Sequence, residues 1–228
     1  MKASLFIGLL LITLISCKKE NSDYVVPDAG YDYFPLVTGT VNYYFVESIT
    51  IDKPSTYFDT VRYYLKIVID TSFVDDEGNT VFPVKRYTSS SLSGNWVIAD
   101  VWYAFSNAAM SVMTEENMKY VKIRYSVEKA KKWDGNVYNI SDEQTYSISS
   151  VDVPYSLNSL SYDSVLTVVH EEYETLINKY FTYEKYAKFK GLIEYYSLNI
   201  VYAETNYTVP IEERILRGTI FRMERVAN

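Results

Sequence analysis

The sequence predicts an all-β protein with antiparallel strands and at most short helices. Apolar side chains alternate with polar ones in residues 41–51, 57–69 and 121–127, which predicts strands whose odd-numbered positions are buried. Turn-forming residues separate the alternating segments and predict turns at residues 53–55, 75–79, 89–95, 115–117 and 133–136. Strands joined by such turns pair as antiparallel hairpins.

The C-terminal part of the chain is also predicted to form strands. Residues 171–190 carry charges that would suit a helix, but the many aromatic side chains in this stretch favour strands. We therefore predict strands on either side of Gly191, with a helical turn between them. Residues 214–226 mix aliphatic side chains, Phe221 and Met223 with arginines, and this pattern predicts a closing strand.

The first residues have the pattern of a bacterial lipoprotein signal. An uncharged apolar run over residues 3–15 follows Lys2 and is too short to span a bilayer of about 30 Å. Leu14-Ile15-Ser16-Cys17 matches a lipobox, in which cleavage before the cysteine frees it for acylation. We predict a signal peptide over residues 1–16 and palmitate-type acyl chains on Cys17. The alternative is an ordinary secretory signal with an incidental cysteine.

Residues 17–30 are predicted to form a lipidated polar tether, and residues 31–228 a β-rich globular domain. In enteric bacteria, Asp directly after the acylated cysteine retains a lipoprotein in the inner membrane, so by resemblance to that rule Lys18 favours the outer membrane. Glu20 and Asp23 match only loosely the acidic cluster that directs Bacteroidetes-type lipoproteins to the cell surface. The predicted location is the bacterial outer membrane, and the choice between its periplasmic and cell-surface faces stays open.

Composition limits the classes of partner. The 228 residues carry a formal net charge of −7, whereas binding to nucleic-acid phosphates requires a concentrated positive surface. We therefore exclude nucleic acid. Cys17 is the only cysteine, so its acylation leaves no thiol for a disulfide, a zinc site or a nucleophile. The expected partners are the membrane, through the anchor on Cys17, and an unknown ligand or envelope protein.

Aromatic residues are unusually frequent, with 24 Tyr, 10 Phe and 3 Trp. Tyrosine combines an apolar ring with a polar tip, which suits both packing within a sheet and the lining of a wet cavity. One hypothesis is an aromatic surface that binds a sugar or an apolar ligand, with Trp102, Tyr103 and Trp133 as candidate binding residues. The other is that the rings only pack within the sheet.

Three segments resemble a group of small Bacteroidetes outer-membrane lipoproteins. Residues 33–39, Tyr-Phe-Pro-Leu-Val-Thr-Gly, are similar to the Phe-Pro-Leu and Gly opening of those domains, although Asn42 stands where their tryptophan is expected. Residues 133–139 are similar to their central Trp-Gly-Asn segment, and residues 186–193 to their closing Tyr-Ala and Gly-Leu-Val strand and turn. The resemblance implies a single, strongly curved antiparallel β-meander that forms a half-barrel or a barrel-like sheet. It implies no activity.

Catalytic groups are scarce. His170 is the only histidine, it lacks a Gly-x-Ser-x-Gly partner motif, and at the end of a strand it is expected to lie at the surface. The acidic groups at residues 75–77, 115–116 and 171–174 could supply a glycosidase pair or a calcium site, but solvated turns explain them better. We predict no catalytic residue, no metal site and no cofactor.

The leading hypothesis is a non-enzymatic, membrane-anchored envelope lipoprotein that binds an unknown ligand or partner protein. One alternative is a carrier of an apolar molecule such as a lipid, which a continuous apolar inner face uncovered by a helix would favour. The weakest alternative is a carboxylate-dependent glycan-processing enzyme. By resemblance to the Asp-Ser/Thr-apolar sites that Bacteroidetes glycosylate, Thr60 and Ser164 are predicted O-glycosylation sites.

Overall fold

The computed structural model describes residues 28–203 and 208–227, so the predicted signal peptide, Cys17 and most of the predicted tether lie outside it. The described chain is almost entirely β, which confirms the predicted fold class. Its strands are β1 (Val41–Asp52), β2 (Tyr57–Ile69), β3 (Phe73–Val74), β4 (Thr80–Ser89), β5 (Val97–Ser106), β6 (Met110–Glu115), β7 (Met118–Arg124), β8 (Lys132–Asp134), β9 (Thr145–Leu157), β10 (Leu160–Glu174), β11 (Asn178–Ala187), β12 (Gly191–Tyr202) and β13 (Ile215–Arg225).

All these strands belong to one antiparallel sheet that curves into a nearly closed barrel. The order across the sheet is β7-β6-β5-β4-β2-β1-β13-β12-β11-β10-β9-β8, and β3 pairs with β4 at the side. Most neighbours in space are also neighbours in sequence, as in a meander. Two pairings depart from this order: β2 pairs with β4, and β1 pairs with β13, which joins the two halves of the chain at the centre of the sheet.

The two edge strands, β7 and β8, meet and nearly close the barrel. Val121 N–H donates a 2.9 Å hydrogen bond to the carbonyl oxygen of Gly135, just after β8. The indole N–H of Trp133 donates to the carbonyl oxygen of Val121 at 2.8 Å. Further along, Asn139 bonds both backbone groups of Lys119, at 3.0 and 2.8 Å. Side chains and a loop thus take the place of a regular strand ladder at the seam.

Only short helices occur in the described residues: Tyr31–Tyr33, Lys53–Ser55 and Ile211–Arg214. Within the same residues, none of the helices has the length and apolar character needed to cross a membrane. Strands flank Gly191 as predicted, but the connection at residues 188–190 is a plain turn, without the helical turn that we expected. The predicted turn at residues 133–136 begins instead as strand β8.

The buried face of β2 follows the prediction only in the second half of the strand, since odd-numbered Tyr57 and Val61 are exposed, and that of β1 does not follow it. In β2, odd-numbered Leu65 and Ile69 are buried. In β1 the even-numbered Asn42, Tyr44 and Val46 are the buried side chains, so the predicted buried face is wrong there. The odd positions of β1 are partly covered by aromatic contacts instead: Tyr43 packs on Trp96 at 5.6 Å and Phe45 on Tyr64 at 5.5 Å between ring centroids.

The segment before β1 closes part of the barrel interior. Tyr33 is fully buried, and its hydroxyl donates a 2.7 Å hydrogen bond to Asp152 Oδ1. Phe34 packs against Tyr186 of β11, with 6.1 Å between ring centroids. Both rings belong to the largest apolar cluster of the barrel, together with Trp133 and Tyr146. The Tyr-Phe-Pro-Leu segment is therefore part of the core.

Candidate functional site

The barrel encloses a cavity of about 600 Å³, within the range of about 300–1,000 Å³ typical of small-molecule sites. Most of the described side chains on its wall are apolar. They come from the segment before β1 and from strands on both sides of the barrel, and include Phe34, Leu36, Tyr44, Ile67, Ile69, Val84, Trp102, Met113, Leu192, Phe221 and Met223. An apolar wall of this kind suits a ligand that loses little by leaving water.

The cavity reaches the protein surface between two loops. Val37, in the segment before β1, and Val41, the first residue of β1, line it and are 59% and 42% exposed. Phe189 and Lys190, in the turn between β11 and β12, also line it and are exposed. We call the opening that these four residues surround the mouth. Apolar side chains at a mouth favour the entry of an apolar or amphipathic molecule.

A buried network of charged groups lies on the inner wall. Lys122 Nζ is 2.6 Å from Glu184 Oε1 and 2.9 Å from Glu115 Oε1. The second oxygen of Glu184 accepts a 2.7 Å hydrogen bond from the Tyr186 hydroxyl and lies 3.1 Å from His170 Nε2. The side chains of Lys122 and Glu184 are only 7% and 2% exposed. Each buried charge therefore has an opposite charge in direct contact, as burial in a protein interior requires.

Electrostatics keep both central groups of this network ionised. Burial by itself raises the pKa of Glu184, but the Lys122 ammonium and the contact with His170 outweigh it and hold that pKa well below its usual range. Burial likewise acts to lower the pKa of Lys122, and the carboxylates of Glu115 and Glu184 raise it well above its usual range. The neighbouring hydroxyl of Tyr186 stays protonated because burial, and then Glu184, raise its pKa.

Arg86 forms a second charged group on the cavity wall. Its guanidinium lies 3.6 Å from the centre of the Trp102 ring, and its Nη1 is 3.2 Å from both carboxylate oxygens of Asp100. The register of the sheet places Arg86 beside Ile67 of β2, which in turn lies beside Asn42 of β1. The position of Trp102 on the cavity wall is consistent with a role in ligand binding. Its ring also stabilises the positive charge of Arg86 through a cation–π contact.

The other two candidate binding aromatics lie elsewhere. Tyr103 is on the outer face, 42% exposed, with the edge of its ring against Phe73 at 6.3 Å between centroids. Trp133 is in the core and forms the seam described above. The sequence named each of the three as a candidate binding residue, and the alternation of side chains along β5 places Trp102 and Tyr103 on opposite faces of the sheet. Ligand binding by these aromatic residues stays a prediction.

His170 is not a surface residue, contrary to the prediction. It is 4% exposed, and its ring stacks on Tyr146 at 3.8 Å with an interplanar angle of 7°. β10 continues past it to Glu174, so His170 lies inside a strand whose inner face is covered. We therefore expect the change His170→Ala to lower stability, because it would remove a buried partner of Glu184.

Three further sequence candidates lie outside the cavity wall. Asp75 caps the turn before β4, where its Oδ1 accepts hydrogen bonds from the amides of Glu77 and Asn79 at 3.0 and 2.8 Å. The described residues contain no group of three metal-ligating side chains.

Thr60 is half-buried on β2, and the Ser164 hydroxyl donates to Asp152 and lies 2.9 Å from the Tyr33 hydroxyl. Glycosylation of Thr60 and Ser164 stays a prediction.

The fold and the cavity define a class: an antiparallel, nearly closed β-barrel with an internal, mainly apolar pocket. No protein-family model matches this chain, and no curated protein matches it in sequence. A candidate lipoprotein from Parabacteroides distasonis is similar in structure, with 9% identity and a TM-score of 0.38 over 85% of this chain and 98% of that chain. A candidate exported protein with a YmcC-like fold from Bacteroides fragilis has 11% identity and a TM-score of 0.40 over 86% and 98%. Neither similarity assigns a function to this chain.

Proposed function

We propose that this protein is a lipid-anchored envelope protein that holds an apolar or amphipathic ligand inside its barrel and catalyses no reaction. The observation that carries the proposal is the cavity of about 600 Å³ with a mainly apolar wall and an exposed apolar mouth. Among the described residues no helix longer than four residues covers this inner face. These features favour the carrier hypothesis over binding of a partner protein on the outer surface.

The buried carboxylates do not support a glycan-processing enzyme. Glu115 and Glu184 both face the cavity, but Lys122 Nζ lies between them and contacts each one. A glycosidase needs one carboxylic acid with a raised pKa to protonate the leaving group, and room for sugar or water between the pair. The lowered pKa of Glu184 and the position of Lys122 oppose both requirements.

Filling the cavity is expected to block ligand binding. Ile67 lines the cavity and is partly buried, so the change Ile67→Trp should displace about two methylene groups of a bound chain at about 0.8 kcal/mol each, which lowers affinity about tenfold. The measurement is photo-cross-linking of the full-length protein in native membranes with a diazirine analogue of hexadecanol, followed by peptide mapping.

The matched control for this experiment is Val101→Trp, which adds the same ring at an exposed position on β5. Labelled peptides should map to the cavity wall in the parent and in the control, and decrease only in Ile67→Trp. Labelling of outer-face peptides alone, or equal labelling in both variants, would contradict the proposed carrier function.

The membrane anchor is proposed to be a diacylated Cys17, with the protein in the outer membrane. Its support is the lipobox Leu14-Ile15-Ser16-Cys17, because two acyl chains convert a reversible membrane contact into stable attachment. The change Cys17→Ala is expected to prevent acylation and outer-membrane attachment. Fractionation without detergent, at high salt, measures this. A Cys17→Ala protein that still sediments with outer membranes would disprove the anchor, and recovery of the parent in inner membranes would disprove the location.

A further inference from the structure

Two positively charged side chains lie together at the mouth of the cavity. Lys190, in the turn before β12, is exposed, and Arg225, at the end of β13, is half-buried. Arg225 Nη1 donates a 2.7 Å hydrogen bond to the carbonyl oxygen of Lys190, and its Nη2 donates a 2.6 Å bond to Asn42 Oδ1. These two bonds fix the guanidinium at the cavity wall and leave three of its five N–H donors for other partners.

Lys190 and Arg225 differ from the other cations that line the cavity in their contacts with carboxylates. Lys122 contacts two carboxylates and Arg86 contacts Asp100. Within the part of the chain that the structure describes, neither Lys190 nor Arg225 forms an ion pair. Asp32, whose carbonyl oxygen accepts a bond from Phe189 N, is near the same turn and pairs with neither.

The surroundings of this pair are apolar. Phe189 and Val41, both exposed, lie beside the two cations at the mouth, and Tyr44, Leu192 and Met223 continue the wall inward. In a protein with a formal net charge of −7, two positive groups that pair with no carboxylate of the described residues thus lie where the apolar cavity meets water. This arrangement is complementary to a molecule with an anionic head and an apolar tail.

We propose that the ligand of the cavity is an anionic amphiphile, with its acyl chain in the barrel and its carboxylate or phosphate on Lys190 and Arg225. The inference rests on the proposed carrier function and specifies the ligand class. Free fatty acids and anionic phospholipids share this chemistry. A guanidinium with free N–H groups can hold either head by two parallel hydrogen bonds, and a lysine ammonium adds a second charge.

The test compares two probes with the same tail in native membranes: diazirine analogues of hexadecanoate, which is anionic, and of hexadecanol, which is neutral. The double variant Lys190→Gln, Arg225→Gln should lower hexadecanoate labelling about tenfold, the loss expected for charge-assisted hydrogen bonds, and leave hexadecanol labelling unchanged. Because each comparison uses one probe across variants, partitioning of that probe into the membrane cancels.

Two further variants keep the result interpretable. Arg217→Gln removes one exposed charge from the same strand, away from the cavity wall, and should change neither probe. Lys190→Glu reverses a charge on an exposed side chain, so it should still fold, and it should weaken hexadecanoate labelling more than Lys190→Gln does. Circular dichroism and urea unfolding of each variant verify the fold.

The outcomes separate the two proposals. If both probes label the cavity equally and the mouth variants change neither, the anionic-ligand inference is wrong and the carrier function stands. If neither probe labels the cavity, both fail. If hexadecanoate labels the cavity and the mouth variants weaken that labelling, competition identifies the source of the anion. Displacement by unlabelled hexadecanoate indicates a free acid, and displacement by phosphatidylglycerol vesicles indicates a phospholipid. Displacement by phosphatidylcholine vesicles alone would overturn the inference.

Discussion

Replacing Lys122 with methionine is expected to lower the free energy of unfolding by about 3–5 kcal/mol, the cost of leaving a buried charge without its partner. The change keeps the length of the side chain and removes the ammonium that contacts Glu184 at 2.6 Å. Glu184 is 2% exposed, so water cannot replace the lost charge. Urea denaturation followed by tryptophan fluorescence measures the difference.

The matched control is Lys85→Met, which breaks the ion pair with Asp70 on the surface, where both side chains are more than a third exposed. An exposed pair contributes about 0–1 kcal/mol, so this variant should unfold almost like the parent. Adding Glu184→Gln to Lys122→Met removes the orphaned charge and should recover about 1–3 kcal/mol. Equal losses for Lys122→Met and Lys85→Met would mean that the buried network does not hold the barrel together.

The dependence of stability on acid pH provides a second measure of how much the network of Lys122 and Glu184 stabilises the fold. The pKa of Glu184 in the folded protein is below its ordinary value of 4.5, so the unfolded chain binds a proton at this site more readily. The stability that Glu184 contributes is therefore fully present above about pH 4.5 and is lost as the pH falls through the folded pKa. In Lys122→Met this part of the acid dependence should shrink, because the ammonium that lowers the pKa is gone.

Local sequence patterns predicted part of the strands and turns, although β8 occupies the start of the turn predicted at residues 133–136. Alternation located β1, β2 and β7, and the turn residues at 53–55 and 115–117 lie between paired strands. The buried face of β1 could not be read in the same way, because apolar and aromatic side chains occupy both of its faces. Tyr44 and Val46 point inward, while Tyr43 and Phe45 pack against aromatic residues on the outside.

The cavity and its charges could not be predicted from local patterns. Lys122 alternates with apolar neighbours and was assigned to the solvated face of β7, whereas the structure buries it against Glu184. These residues are 62 positions apart in the chain, and only the curvature that brings β7 opposite β11 puts them in contact. The same curvature buries His170. β7 carries Lys119, Lys122 and Arg124 among its apolar residues, so no local pattern distinguishes Lys122 as the buried one.

The Trp-Asp-Gly-Asn segment was singled out as part of a resemblance, and the structure gives it a physical role. Gly135 passes so close to Tyr146 that an added Cβ would lie 2.5 Å from the ring. This close approach lets the carbonyl oxygen of Gly135 accept the bond from Val121, while Trp133 fills the core beneath. The edges of a curved sheet are otherwise open to pairing with other chains, and this seam covers them.

The change Trp133→Ala is expected to lower the free energy of unfolding by about 3–5 kcal/mol, because it leaves a cavity under the seam and removes the bond to Val121. Trp133→Phe keeps a smaller aromatic ring in the core and loses that 2.8 Å hydrogen bond, so it should cost less, about 1–3 kcal/mol. Urea denaturation measures both variants.

Hydrogen exchange at the Val121 amide separates a local effect from a global one, because this amide donates across the seam to Gly135. In Trp133→Ala the Val121 amide should lose more protection than the amides of β1 and β13, which lie at the centre of the sheet. The opposite order would show that Trp133 stabilises the core without closing the barrel. A barrel opened at this seam would also expose the apolar wall of the cavity to water, so retention of the hexadecanol probe should fall in the same variant.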